Sequence, residues 1–81
     1  MRSEVEKFAE AMEEVLQKHD PDKGDSWVEL PLPYLENKLV EEIGELRDAI
    51  GINVRKHEML DVANIMMMLW NRYSFVDTDG I

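Results

Sequence analysis

Met59-Leu60-Asp61-Val62-Ala63-Asn64-Ile65-Met66-Met67-Met68-Leu69-Trp70 is apolar except at Asp61 and Asn64. At about 100° per residue, Met59, Ala63, Met66 and Trp70 fall on one side of a helix and Leu60 and Met67 on a second. Ile65, Met68 and Leu69 cover much of the rest. A helix apolar nearly all round is a buried helix, and this run is too short to span a bilayer. The stretch therefore predicts an all-α fold and puts Asp61 and Asn64 in protected surroundings. An unpaired carboxylate there would either carry a heavy desolvation cost or lose its charge. A bound metal removes that cost. A structural contact between Asp61 and Arg55, Arg72 or a backbone donor is the plainer alternative.

The acids nearby favour the metal. Glu58 stands one turn before Asp61, and twelve residues separate Glu58 from the end of a second cluster, Glu41-Glu42-Ile43-Gly44-Glu45. Glu42 and Glu45, like Glu58 and Asp61, are three apart and share a helix face. Two such helices side by side aim four carboxylates into one small volume, where they repel unless a cation lies among them. Oxygen-only ligation selects hard ions, Mg²⁺ or Mn²⁺ where a substrate carries phosphates. On the first helix Leu35, Leu39, Ile43, Leu46 and Ile50 form one apolar stripe. Glu42 falls roughly 60° from the centre of that stripe and Glu45 roughly 120°, while Glu41 lies farther round in solvent.

At 81 residues the chain is one domain, near the lower limit for stability without help. It has no cysteine, so disulfides and thiolate metal sites are excluded. Three residues before His57 is Val54 and before His19 is Leu16, which argues against the Glu-x-x-His pattern of a di-iron bundle. A formal net charge of −9 disfavours nucleic acid and anionic membranes as partners. It leaves a nucleotide substrate open, because bound cations reverse the local field. Lacking cysteine and an export signal, the chain is expected in the cytoplasm. Three short helices cannot surround an all-apolar one, so a second copy of the chain is expected to cover it.

The helices are expected at about 4–18, 33–50 and 54–73. Ser3 and Glu6 form a capping-box pattern. Asp20 to Asp25 is a turn, and Pro33 suits a first helical turn. Gly51 is expected as a left-handed C-cap of the second helix and Asn53 as the cap of the third. Residues 74–81 read as a loose or partner-dependent tail. The architecture is a helical hairpin plus a flanking N-terminal helix, completed into a bundle by homo-oligomerisation.

Glu41-Glu42-x-x-Glu45 followed by Glu58-x-x-Asp61 resembles the signature of MazG-like all-α nucleoside triphosphate pyrophosphohydrolases. Lys38-Leu39 before the first box, Leu46 after Glu45 and Val62-Ala63-Asn64 after Asp61 agree with it, and the likeness covers roughly residues 24–73. The resemblance implies a homodimer or dimer of dimers and Mg²⁺-dependent cleavage between the α and β phosphates, giving a nucleoside monophosphate and pyrophosphate. Carried over by position, the metal ligands are Glu42, Glu45, Glu58 and Asp61. Glu41 either orients the attacking water or is simply solvated. Lys38 either meets a phosphate or pairs with Glu41 or Glu42. Arg72 lies three turns past Asp61, about 16 Å along the axis, and reaches a phosphate only from a partner subunit or across a curved site. Asn64 either reads a base edge or ties two helices together, and Trp27 either stacks on a base or packs on the core. The chain is shorter than larger members of that family and shows no clear fourth helix after Tyr73.

Two other readings compete. One is a related phosphoribosyl-ATP pyrophosphohydrolase-like enzyme. The other is a non-catalytic acidic helical module that oligomerises or binds a protein, its carboxylates solvated.

Overall fold

The computed structural model describes residues 1–75, which form three α-helices and a single 3₁₀ turn. α1 is Ser3–His19, the 3₁₀ turn Ser26–Val28, α2 Leu32–Asp48 and α3 Ile52–Ser74. The expected tail beyond Phe75 lies outside the described residues. No helix among the described residues is long and apolar enough to cross a membrane.

α3 lies between the other two, packing along α2 on one side and against α1 on another. The core is small. Leu35 of α2 meets Ile65 and Leu69 of α3, with Trp27, Leu30, Leu32, Leu39 and Met68 packed around them. α1 buries Val15, while every residue from Met1 to Glu10 is exposed. Its first half is thus a helix without tertiary cover.

The helix ends depart from the sequence expectation in an instructive way. Arg2 precedes α1 in extended conformation, and its carbonyl accepts from the Val5 and Glu6 amides. The Ser3 hydroxyl bonds to the Glu4 carboxylate instead, so the expected Ser3–Glu6 capping box does not form. α2 stops at Asp48, two residues early, because Arg55 supplies its end with donors. One guanidinium nitrogen of Arg55 donates to the carbonyls of Leu46 and Ala49, at 3.2 and 3.0 Å. Those orphan carbonyls therefore need no left-handed glycine. Gly51 instead takes φ +97 at the start of α3 and acts as its N-cap, a role expected of Asn53. Pro33 does sit in the first turn of α2.

The apolar stripe of α2 is also rotated from its expected place. Leu35 is buried and Leu39 and Leu46 are half-buried, but Ile43 is 48% exposed and Ile50 89% exposed. Glu42 takes the inward position that the spacing assigned to Ile43. Buried charge has displaced an aliphatic side chain, which directs attention to what Glu42 faces.

Candidate metal centre

The antiparallel hairpin of α2 and α3 sets Glu42 against Glu58 and Asp61. One carboxylate oxygen from each lies within 4.8 Å of the other two, close enough for a single cation to meet all three. Glu42 is 8% exposed, and its Oε2 is buried without a hydrogen-bond partner, as is Oε2 of Glu58. Buried acceptors without donors are uncommon, since each forfeits hydration and gains nothing in exchange. Here the orphaned carboxylate atoms are acceptors, and a cation is what such a set lacks.

The electrostatics agree. Burial pushes the Glu42 carboxyl up from 4.5 to about 7. The adjacent Glu45 carboxylate and the charge of Asp61 push in the same direction, and only Lys38 opposes them. The Lys38 ammonium stands 3.6 Å from Glu42 Oε1 and 3.5 Å from Glu41 Oε2. Partial burial would lower the Lys38 pKa, but the two carboxylates outweigh it and raise it. Lys38 thus supplies counter-charge, yet at one edge of the cluster only.

Glu45 is exposed and stands outside the trio whose oxygens converge, though close enough to Glu42 to help it hold its proton. Glu41 is exposed and paired with Lys38. With Glu45, Asp48 and Glu58 it borders an open groove on the surface of the hairpin.

On its other side the cluster opens into a half-enclosed crevice of about 530 Å³. Glu42, Asp61 and Asn64 form part of its lining, with Lys38 beside them and Trp27 and Met68 supplying apolar surface. Asn64 is 4% exposed, and its Nδ2 donates to the Met12 carbonyl of α1 at 3.3 Å. That bond ties two helices, the plainer of its two expected roles, while its Oδ1 is left buried and unpartnered. Trp27 likewise packs on the core and lines the crevice at once.

Neither arginine considered for Asp61 reaches it. Arg55 caps α2, and one nitrogen of Arg72 donates to the carbonyls of Trp27 and Leu30. Arg72 thereby holds the segment between the 3₁₀ turn and α2 to α3. Asp61 faces His57 instead, Oδ2 to Nε2 at 3.5 Å, one turn earlier on the same helix. The sequence reading weighed His57 only as an absent di-iron ligand. Its i,i+4 spacing to Asp61 was the signal that would have found this contact. Compared with known proteins, the chain matches no protein-family model, no curated protein and no solved structure.

Proposed function

We propose that Glu42, Glu58 and Asp61 hold a divalent cation, Mg²⁺ or Mn²⁺, with Glu45 in reach as a fourth ligand. We further propose that the chain hydrolyses a nucleoside triphosphate. One water is consumed, the bridge between the α and β phosphates is cleaved, and a nucleoside monophosphate and pyrophosphate leave. The observation that carries the proposal is the convergence of three carboxylates whose buried oxygens lack donors. The resemblance of the two acidic boxes to MazG-like enzymes supplies the reaction.

The donor set fits the ion. All the converging atoms are carboxylate oxygens, which suits hard cations. Bound there, such an ion would supply charge neutralisation and polarisation to the phosphates. The chain's own residues do the rest. The crevice lies beside the cluster, and its Trp27 and Met68 offer apolar surface to a nucleobase. Asn64 belongs to the same lining, one turn beyond Asp61. Lys38 is placed to exchange its carboxylate partners for a phosphate.

Pyrophosphate release from a panel of standard and modified nucleoside triphosphates, with Mg²⁺, Mn²⁺ or chelator, tests the proposal. Metal-dependent release of pyrophosphate and monophosphate is expected. Release of orthophosphate and diphosphate, or no turnover of any member with either metal, would overturn the reaction. A metal-induced rise in melting temperature without turnover would leave a binding module in its place.

A further inference from the structure

His57 stands outside the carboxylate trio, yet its Nε2 lies 3.5 Å from Oδ2 of Asp61. That gap exceeds the range of roughly 2.7–3.2 Å in which an N–H group hydrogen-bonds to oxygen. As an ion pair between partly exposed side chains, it adds little to stability. The separation fits another purpose. A nitrogen and an oxygen bound to one Zn²⁺ each lie about 2.0–2.1 Å from it, so at the tetrahedral angle they stand about 3.3–3.4 Å apart. Donors at right angles on a square-planar or octahedral ion would stand only about 2.9 Å apart. The observed gap subtends roughly 115–120° at an ion held by bonds of Zn²⁺ length. His57 and Asp61 have the bite of a tetrahedral ion.

We propose that His57 Nε2 and Asp61 Oδ2 form a transition-metal site for Zn²⁺ or Co²⁺, distinct in its donors from the carboxylate trio. The two residues are four apart on α3, one turn of helix. The helix therefore fixes both anchors before any ion arrives, which lowers the ordering cost of binding. With its proton on Nδ1, a neutral imidazole offers the Nε2 lone pair to a metal. Imidazole suits Zn²⁺ and its neighbours, whereas Mg²⁺ takes oxygen, so the added nitrogen changes which ion is preferred. Both residues line the crevice, with side chains 55% and 25% exposed, and an ion reaches them without any opening of the fold. Glu58 has a carboxylate oxygen within 4.8 Å of one on Asp61 and adds attraction for a dication. Lys38 lines the same crevice and opposes a cation, but Glu41 and Glu42 already offset its charge. Two protein donors leave the remaining tetrahedral positions to water or to an anion from the crevice.

The site shares Asp61 with the trio and does not depend on the proposed reaction, so the two readings fail separately. The chain has two histidines, His19 and His57, and nitrogen-detected NMR reads each ring by itself. Zn²⁺ added to the full chain is expected to move the His57 Nε2 resonance and leave the His19 ring unchanged. Mg²⁺ should not produce that shift. Co²⁺ should give the strong visible absorption of a four-coordinate ion. His57→Ala should abolish that absorption and weaken Zn²⁺ binding at least ~10-fold, since even the outer partners of metal ligands are worth that much. Helicity by circular dichroism should not change, because the ring is exposed. Glu42→Gln should have the opposite profile, losing the Mg²⁺ response while the Zn²⁺ shift at His57 persists. A His57 ring unmoved by Zn²⁺, or equal Zn²⁺ affinity in wild type and His57→Ala, would overturn the proposal. Zn²⁺ ligation by His57 in a chain indifferent to Mg²⁺ would uphold this site and remove the trio.

Discussion

The two sides of the α2–α3 hairpin break opposite rules of burial. On one side Glu42 and Asn64 are buried with oxygens that no donor reaches. On the other Val40, Ile43 and Trp70 stand in solvent. A polar group is retained inside only if something compensates it, and a broad apolar face outside only if something covers it. The mismatches therefore differ in kind. One side lacks a charge, a deficit that a small ion can meet. The other leaves apolar surface in water, which a macromolecule and not an ion would cover. Perturbing the first should act on chemistry and on pH response, and perturbing the second on concentration dependence.

The largest expected effect is on the charged side. Asp61→Asn keeps size and removes one negative charge, so the fold should persist. Turnover should fall at least ~100-fold, the scale of losing a major electrostatic element from a catalytic site. Steady-state pyrophosphate release with circular dichroism checks both halves, and unchanged turnover would separate Asp61 from the chemistry. Next in size is the metal itself. At about a hundred times its dissociation constant, an ion that binds only the folded chain adds about 2.7 kcal/mol. For a domain this small that is a shift of roughly 10 °C or more in Tm, which differential scanning fluorimetry would register. Imidazole side chains are softer ligands, so a comparable shift with Zn²⁺ alone would argue for His57 as the binding group instead.

A smaller effect follows from Glu42. Its folded pKa of about 7 lies above the ordinary 4.5, so the metal-free fold prefers the protonated acid. That contribution to stability is fully present below about 4.5 and is lost as pH rises through about 7. Chemical denaturation without metal should therefore show stability falling across this window, and Glu42→Gln should flatten the fall. With metal present the slope should weaken or reverse, because ligation needs the ionised carboxylate. The same variant should lose most of the metal-induced Tm shift.

The smallest effects contrast the loop anchor with the apolar side. Arg72→Met removes a donor from two backbone carbonyls and should destabilise by about 1–3 kcal/mol at any protein concentration. Trp70→Ser should change stability by less than about 0.5 kcal/mol where the protein is dilute. A cost that grows with protein concentration would show that the wild type gains a partner there. Equal effects of Trp70→Ser at all concentrations would remove the distinction between the two sides.

Much of this could be read from the residues in order. The run from Met59 to Trp70 and the Leu35–Leu39–Leu46 spacing are local signals, and both helices form there. The approach of Glu42 to Glu58 and Asp61 was legible too, because pairs three apart on neighbouring helices have few other places to point. Periodicity records which residues are apolar, however, and not which face meets the neighbouring helix. That is why Ile43 was assigned inward and Glu42 only to the edge. The contacts that fix the ends and the loop run between distant positions: Arg55 to Leu46, Arg72 to Trp27, Asn64 to Met12. Each joins a side chain to a main-chain carbonyl, and a carbonyl leaves no trace in residue identity.

The bare first half of α1 bears on how the molecule breathes. Its amides rest on intrahelical bonds alone, and isolated helices of this length are marginal in water. Hydrogen exchange should be fastest there and slowest around Leu35, Ile65 and Leu69, where the tightest packing lies. The second half of α1 brings Val15, Leu16 and His19 to the crevice and is tethered at Met12 by the buried Asn64 amide. Fraying that starts at Ser3 and passes Met12 would break that tether and swing out one wall of the crevice. The hairpin that carries the acids would stay intact. Sub-global unfolding of the first helix would thus widen the crevice without disturbing the acids.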